Sequence, residues 1–214
     1  MKKLLFAPLL GLWALLALLP STPARAACGV NTVPAVGVIC DIARNPTYSA
    51  TSVGLVPAAS ATDIFCISAG STKSVSIRKI SIGGTAGTAI TTPFLIYQRS
   101  TLGTSGTAAT GIALPVPVPL NSNDPAATAI LTAYTANPTV AATPLLMDAA
   151  TVDLPVTTAA GGAVTAELRY GTSVDFLSKG LDIIKGTTNQ ICVNLNGVSV
   201  SSGVLTINMQ WQEN

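Results

Sequence analysis

The chain of 214 residues contains no histidine, and charged residues make up only 9% of it. Without histidine the commonest general base is missing, and neither a Ser-His-Asp triad nor a Cys-His pair can form. Aromatic residues are also scarce, at 5%. These absences predict a protein that is not an enzyme and has no catalytic residues.

Sequence motifs for cofactors and metals are absent as well. The chain has no phosphate-cradling GxxxxGK[ST] pattern, no GxSxG pattern and no CxxC pair for zinc. The oxygen-rich NSND segment (121–124) lacks the alternating acidic residues and distal glutamate of a calcium loop, and Pro125 favours a turn there. We therefore predict no cofactor and no metal.

One catalytic alternative stays open at the level of sequence. The chain has nine carboxylates, and a glycoside hydrolase needs only two of them, held about 5–9 Å apart. Sequence alone cannot place two residues of different strands side by side. A hydrolase built on such a pair would require two of the nine to meet in a cleft.

The first residues have the three parts of a secretory signal peptide. Lys2 and Lys3 precede an apolar run from Leu4 to Leu19, and small residues follow up to Ala26. The apolar run is shorter than the roughly 20 residues of a membrane span, although a retained anchor is the alternative. We predict cleavage after Ala26 and export to the periplasm, the cell surface or the medium, with no stable membrane span after the leader is removed.

Removing the leader changes the charge of the chain. Of the 11 basic residues, three (Lys2, Lys3 and Arg25) lie in the leader, so 11 − 3 = 8 remain against 9 acidic residues, a net charge of −1. No basic patch is present to bind phosphates, so nucleic acid is not a predicted partner.

Four cysteines, Cys28, Cys40, Cys66 and Cys192, remain in the mature chain. An even number in an exported protein indicates two disulfides, for which three pairings are possible. Proximity in sequence favours Cys28–Cys40, which leaves Cys66–Cys192 to link two distant strands. Four unpaired buried thiols are the alternative.

Short β-rich runs separated by Gly, Pro and Asn dominate the rest of the chain. In the last run Leu205, Ile207, Met209 and Trp211 alternate with polar residues, as in an antiparallel sheet with one buried face. In the run 73–82 the alternation slips at Arg78–Lys79, which predicts a β-bulge. The sequence thus predicts an all-β, antiparallel two-sheet sandwich, similar to a jelly roll. The predicted strands are 63–69, 73–82, 93–99, 128–134, 163–170, 180–185, 190–196 and 203–213.

The predicted domain organisation is a signal peptide (1–26), an N-terminal extended arm (27–62) and a β-sandwich domain (63–214). Within the sandwich, the segment 113–120, ALPVPVPL, has proline at every second position. Since proline donates no hydrogen bond, this segment cannot be a central strand. We predict that it runs extended, as polyproline II or along a sheet edge.

Three stretches carry a resemblance to a known group of proteins: YQRST (97–101), VPLNSNDPAATAILTAYTANPT (118–139), and VNLNG with GVLTINMQWQE (193–213). They resemble small phage and prophage proteins that look like virion-associated or head-decoration β-sandwiches. The resemblance covers roughly Asp63 to Glu213 and implies a non-enzymatic structural role. The leader and cysteines depart from it, which suggests either a prophage-derived protein adapted for export or a bacterial surface protein.

The function predicted from the sequence is therefore that of an exported, non-catalytic structural or binding protein. The predicted partner is a protein, through self-assembly or through association with a particle or surface; no binding residues are identified. The alternative from another class is a carbohydrate-binding module or adhesin. The aromatic residues that could stack on its sugars are Trp211, Tyr48, Tyr97, Tyr134 and Tyr170.

Overall fold

Two antiparallel β-sheets account for most of the residues that the structure describes. The structure is a computed structural model and describes residues 45–140, 144–156, 165–170, 181–183, 186 and 188–214. The described strands are β1 (Thr47–Leu55), β2 (Ala61–Ser68), β3 (Val75–Thr85), β4 (Ile90–Arg99), β5 (Thr107–Ala108), β6 (Val118–Pro119), β7 (Ile130–Ala136), β8 (Leu145–Leu154), β9 (Thr165–Arg169), β10 (Leu181–Ile183), β11 (Gln190–Val198) and β12 (Val204–Glu213).

The strands form two layers. Sheet A has the order β10-β3-β12-β1-β6, with β9 also pairing with β3, and sheet B has the order β5-β7-β2-β11-β4-β8. The two sheets pack face to face around one core of buried aliphatic and aromatic side chains. The predicted all-β two-sheet sandwich is confirmed. In the described part of the chain, no helix is long and apolar enough to cross a membrane.

Strand β12 shows how sequence alternation builds the core. Its apolar residues Leu205, Ile207, Met209 and Trp211 are all fully buried, and the polar residues between them lie on the outer face of sheet A. The strand lies between β3 and β1, so both of its edges are paired. The predicted orientation of this strand is confirmed.

The predicted bulge in β3 is also present. Lys79 pairs with Gln210 and Ile77 pairs with Trp211, so Arg78 is an extra residue on β3. The insertion has a direct effect on packing, because Ile77 and Ile80 are three residues apart and would face opposite sides of a regular strand. With the bulge, both are fully buried in the core.

The sandwich begins earlier in the chain than the sequence predicted. Strand β1 falls inside the predicted arm (27–62), yet it lies within sheet A between β12 and β6. A sandwich starting at residue 63 is therefore too short. The predicted signal peptide, the remainder of the arm up to residue 44 and the predicted Cys28–Cys40 pair lie outside the described residues.

The proline-rich segment lies at a sheet edge, as predicted. Val118 pairs with Ser49 and Pro119 pairs with Tyr48, which makes β6 the edge strand beside β1. A short 3₁₀ turn, Gly111–Ala113, precedes this strand. The Ser52 hydroxyl donates to the Ala113 carbonyl oxygen at 2.6 Å and ties the turn to β1.

Candidate functional site

A disulfide joins the two central strands of sheet B. Cys66 on β2 lies directly opposite Cys192 on β11, and the two sulfur atoms are 2.08 Å apart. Their strand neighbours Phe65 and Val193 belong to the core, so the cysteines lie on the opposite, outer face of sheet B. Both cysteines are nevertheless buried. The predicted pairing of Cys66 with Cys192 is confirmed.

A bulge in β2 brings Asp63 onto the same outer face. Phe65 pairs with Val193 but Asp63 pairs with Asn194, so Ile64 is an extra residue. Asp63 therefore shares a face with Cys66, although three residues separate them. Without the bulge, the carboxylate would point into the apolar core.

The Asp63 carboxylate is held by two side chains of neighbouring strands. Arg99 on β4 donates to both carboxylate oxygens, from Nε at 2.5 Å and from Nη2 at 2.7 Å. Asn194 Nδ2 donates to Oδ1 at 2.5 Å. Asp63 and Arg99 are 1% and 4% exposed, so this is a buried, bidentate ion pair. We call Asp63, Arg99 and Asn194 the Asp63 cluster.

Asp63 and the two cysteines are close enough to suggest a metal site, but their ligand atoms are already engaged. The ligating atoms of Asp63, Cys66 and Cys192 lie within 4.8 Å of one another, a spacing that one metal ion could bridge. The two sulfurs, however, are bonded to each other, and the carboxylate is occupied by Arg99 and Asn194. The arrangement does not fit a metal centre and instead links β2, β11 and β4.

A second buried carboxylate, that of Glu213, ends β12. It accepts hydrogen bonds from the Thr128 backbone N–H at 2.9 and 3.0 Å, the Thr128 hydroxyl at 2.8 Å, the Ala129 N–H at 2.9 Å and Trp211 Nε1 at 3.3 Å. Lys73 Nζ lies 3.7 Å away. This carboxylate supplies acceptors for backbone groups that precede β7, so it fixes the loop that enters sheet B.

Two of the sequence motifs meet at this point. The SNDPAATA segment (122–129) contains Thr128, and Glu213 ends the terminal MQWQE run. Tyr48 adds a second link, because its hydroxyl donates to the Pro125 carbonyl oxygen at 3.0 Å while its ring stacks on Trp211 at 5.7 Å between centroids. The motifs therefore have a structural role: they hold each other in place.

The pKa of Glu213 reflects two opposing influences. Burial of the carboxylate raises its pKa, but the hydrogen bonds from Ala129, Thr128 and Trp211 lower it by more, so the pKa lies below the ordinary glutamate value. A depressed pKa means that the ionised form stabilises the fold. This stabilisation is present above the unfolded pKa of about 4.3 and is lost as the pH falls through the folded pKa.

We expect Glu213→Gln to lower the free energy of unfolding by about 1–3 kcal/mol at pH 7, because buried donors lose a charged acceptor. The difference from the wild-type chain is expected to shrink as the pH falls below about 4.3 and the wild-type carboxyl takes up its proton. Urea unfolding of both chains between pH 3 and 7 measures it. A difference that stays constant over this range would contradict the assignment.

Two further described carboxylates, Asp153 and Glu167, have partners on their own or the adjoining strand. Asp153 accepts from the Thr91 hydroxyl at 2.5 Å, and Glu167 pairs with Lys79 at 2.5 Å and with Arg169. Each is thus held by neighbours on its own or the adjoining strand. Asp41 and Asp175 lie outside the described residues.

A row of exposed aliphatic side chains lies on the edge strand β6 and the segment before it. Ile112, Leu114, Val116, Val118 and Leu120 are 46–76% exposed, and we call them the aliphatic ridge. The proline rings between the last four pack towards the protein, since Pro115 is buried and Pro117 and Pro119 are half-buried. Val53 and Val56 extend the apolar surface, because the Ile112 side chain lies beside Gly54.

The outer edge of β6 offers no hydrogen-bond donor to a further strand. The Leu120 N–H donates to the Thr47 carbonyl oxygen at 2.8 Å, towards β1. Since N–H groups alternate in direction along a strand, that of Val118 shares this direction, and the outward position belongs to Pro119. Proline has no N–H, so a strand added here would meet carbonyl oxygens alone. This favours contacts made by side chains.

The sequence contained a signal for the ridge that its composition obscured. Prolines at every second position imply that the residues between them share one face. The pairing of β1 with β6 decides which face is turned outwards. The Asp63 cluster had no such signal, because Asp63 and Arg99 lie 36 residues apart on different strands.

Comparison with known proteins gives no match to this chain, whether with protein-family models, with curated proteins or with solved structures.

Proposed function

We propose that this protein is an exported, non-catalytic structural component that acts by associating with another protein surface. The aliphatic ridge carries the proposal. Five large aliphatic side chains within residues 112–120, with Val53 and Val56 beside them, form an exposed apolar patch on the order of a few hundred Å². Apolar patches of this size are often functional surfaces.

The uses of the polar residues support a structural role. Arg99, in the QRST motif, holds Asp63, and Glu213 holds the loop before β7. Asn137, in the YTANP motif, accepts from the Thr62 N–H at 2.9 Å and donates to the Ser60 carbonyl oxygen at 2.7 Å. The groups most suited to chemistry are thus engaged in holding loops and strands together.

The disulfide supports export. The Cys66–Cys192 bond joins strands far apart in the chain, and such bonds form and persist in oxidising compartments. This agrees with the signal peptide predicted at residues 1–26. Together with the resemblance to phage proteins, it favours a component of a cell surface or of an exported particle.

A carbohydrate-binding role has less support from the structure. Trp211 and Tyr48 are fully buried and stack on each other, so neither ring can meet a sugar. Tyr97, Tyr134 and Tyr170 are half-buried, and none of the described aromatic side chains is fully exposed. No exposed aromatic platform therefore favours this alternative.

Cell fractionation of a host that exports the full chain tests the proposed function. We expect the wild-type protein in the envelope or particle fraction, and a variant with Val116→Asp and Leu120→Asp in the soluble fraction. Thr206→Asp is the matched control, since Thr206 is an exposed strand residue of the same sheet. A wild-type protein found only in the soluble fraction would contradict the proposal.

A further inference from the structure

We propose that the aliphatic ridge binds the same ridge of a second copy of this chain, which produces a two-fold homodimer. This inference rests on the proposed function and names the partner. Its basis is the combination of an uncharged surface, a repeat of two residues along an extended segment and an edge without hydrogen-bond donors.

The charge distribution favours a second copy over a charged partner. No Asp, Glu, Lys or Arg occurs between residues 100 and 123, which include the whole ridge. Two copies can therefore approach without like-charge repulsion, which a charged self-contact would cause. A partner with a strongly charged binding surface would find no complementary charge here and would lose hydration on contact.

The geometry of the ridge suits self-association. Leu114, Val116, Val118 and Leu120 recur at every second residue, about 6.6 Å apart along an extended chain. Two such rows running antiparallel about a two-fold axis can interdigitate, each side chain of one copy filling a gap in the other. A two-fold contact uses the same patch on both copies, so one self-complementary row is sufficient.

The proline edge excludes the commonest alternative mode of docking. An extended peptide adds to a sheet through main-chain hydrogen bonds, and the outward position of β6 is Pro119, with Pro117 and Pro115 preceding it at a spacing of two residues. Sheet extension at this edge would leave the carbonyl oxygens of an incoming strand without donors. The partner must therefore present apolar side chains, as a second ridge does.

The size of the patch sets the strength of the dimer. A standard stable interface buries about 800 Å² on each partner, and the ridge with Val53 and Val56 supplies a few hundred Å² of this. An interface at the low end of this range is expected to give a dimer that dissociates on the order of micromolar concentrations.

Sedimentation velocity of the mature chain over a concentration series tests the inference. We expect a concentration-dependent dimer for the wild-type chain, and at least a tenfold weaker association for the variant with Val116→Asp and Val118→Asp. Thr206→Asp is expected to associate like the wild-type chain. Thermal unfolding of each variant checks that the fold is retained.

A second measurement does not depend on weakening the contact. Val118→Cys places a thiol near the proposed two-fold axis, and mild oxidation is expected to link two copies through it. Thr206→Cys keeps the ridge and is expected to associate as the wild-type chain does, but to form no covalent dimer under the same conditions. Val118→Cys that yields no covalent dimer at concentrations where the wild-type chain is dimeric would overturn the proposal.

Other outcomes separate this inference from the proposed function. A monomeric wild-type chain whose envelope or particle association depends on the ridge would overturn the second copy and leave the proposed function standing. Ridge-dependent binding of a monomer to phosphatidylcholine vesicles would assign the surface to lipid instead. A dimer that survives the ridge substitutions but is lost with Leu145→Asp and Leu146→Asp would place the contact on the edge of β8, where both leucines are exposed.

Discussion

Replacing Cys66 and Cys192 together by alanine is expected to lower the free energy of unfolding by about 5 kcal/mol. The bond joins residues 126 positions apart, and in the chain-entropy model a loop of about 100 residues already contributes roughly 4.7 kcal/mol by restricting the unfolded chain. The cysteines pair β2 with β11, so the loss affects the centre of sheet B.

Urea unfolding with and without a reducing agent measures this effect. The oxidised wild-type chain is expected to be the most stable. The reduced wild-type chain and the alanine variant are expected to be similar, because both lack the cross-link. A loss of less than about 2 kcal/mol for the variant would contradict this expectation, because the entropy of loop closure would then contribute much less than the model gives.

The same experiment bears on where the protein works. A chain that depends on the bond for about 5 kcal/mol would retain about 0–10 kcal/mol if its stability with the bond is the 5–15 kcal/mol that is usual for a folded domain. In a reducing cytosol the bond would not persist, and a larger fraction of the chain would be unfolded. The proposed export to an oxidising compartment would therefore preserve the stability of the fold.

The strands that could be predicted are those whose core residues are large and apolar. In β12 the alternation of Leu205, Ile207, Met209 and Trp211 determines both the strand and its buried face. In β3 a slip in the same alternation located the bulge at Arg78. In both strands the hydrophobic pattern is strong enough to fix the register, because a shift of one residue would expose the apolar side chains.

In the two long strands that were not predicted, β1 and β8, the buried positions do not follow a regular apolar alternation. Strand β1 buries Ala50 and Ser52, where the large Tyr48 and Trp211 rings occupy the adjoining space. Strand β8 begins with Leu145, Leu146 and Met147, all exposed, and three consecutive apolar residues obscure the alternation. Tertiary packing decides the structure of both segments, and it cannot be derived from local periodicity.

The candidate sites differ in the same way. The proline spacing in the ridge is a local signal, and it correctly predicted an extended segment at a sheet edge. The Asp63 cluster depends on contacts between three strands and on the bulge at Ile64. Phe65 and Ile67 continue the apolar run, so no local pattern indicates that Asp63 faces the opposite side of the sheet from them.

Removing one member of this ion pair is expected to be strongly destabilising. Asp63→Ala leaves the Arg99 guanidinium buried without its counter-charge, and such a change lowers the free energy of unfolding by about 3–5 kcal/mol. Arg99→Ala leaves the carboxylate unpaired and is expected to have an effect of similar size. Glu167→Ala, which removes an exposed pair with Lys79 and Arg169, is the control and is expected to have little effect on the free energy of unfolding.

The double variant Asp63→Leu with Arg99→Met separates the ion pair from its surroundings. Replacing both charges by apolar side chains removes the cost of desolvating them. The double variant is therefore expected to lose much less stability than either alanine variant. The effects are then far from additive, as is typical of residues in direct contact. Urea unfolding of the wild-type chain and the three variants gives the coupling free energy between Asp63 and Arg99. If the double variant instead lost as much as the two single variants combined, Asp63 and Arg99 would stabilise the sandwich independently, and the bidentate contact would not be what links β2 to β4.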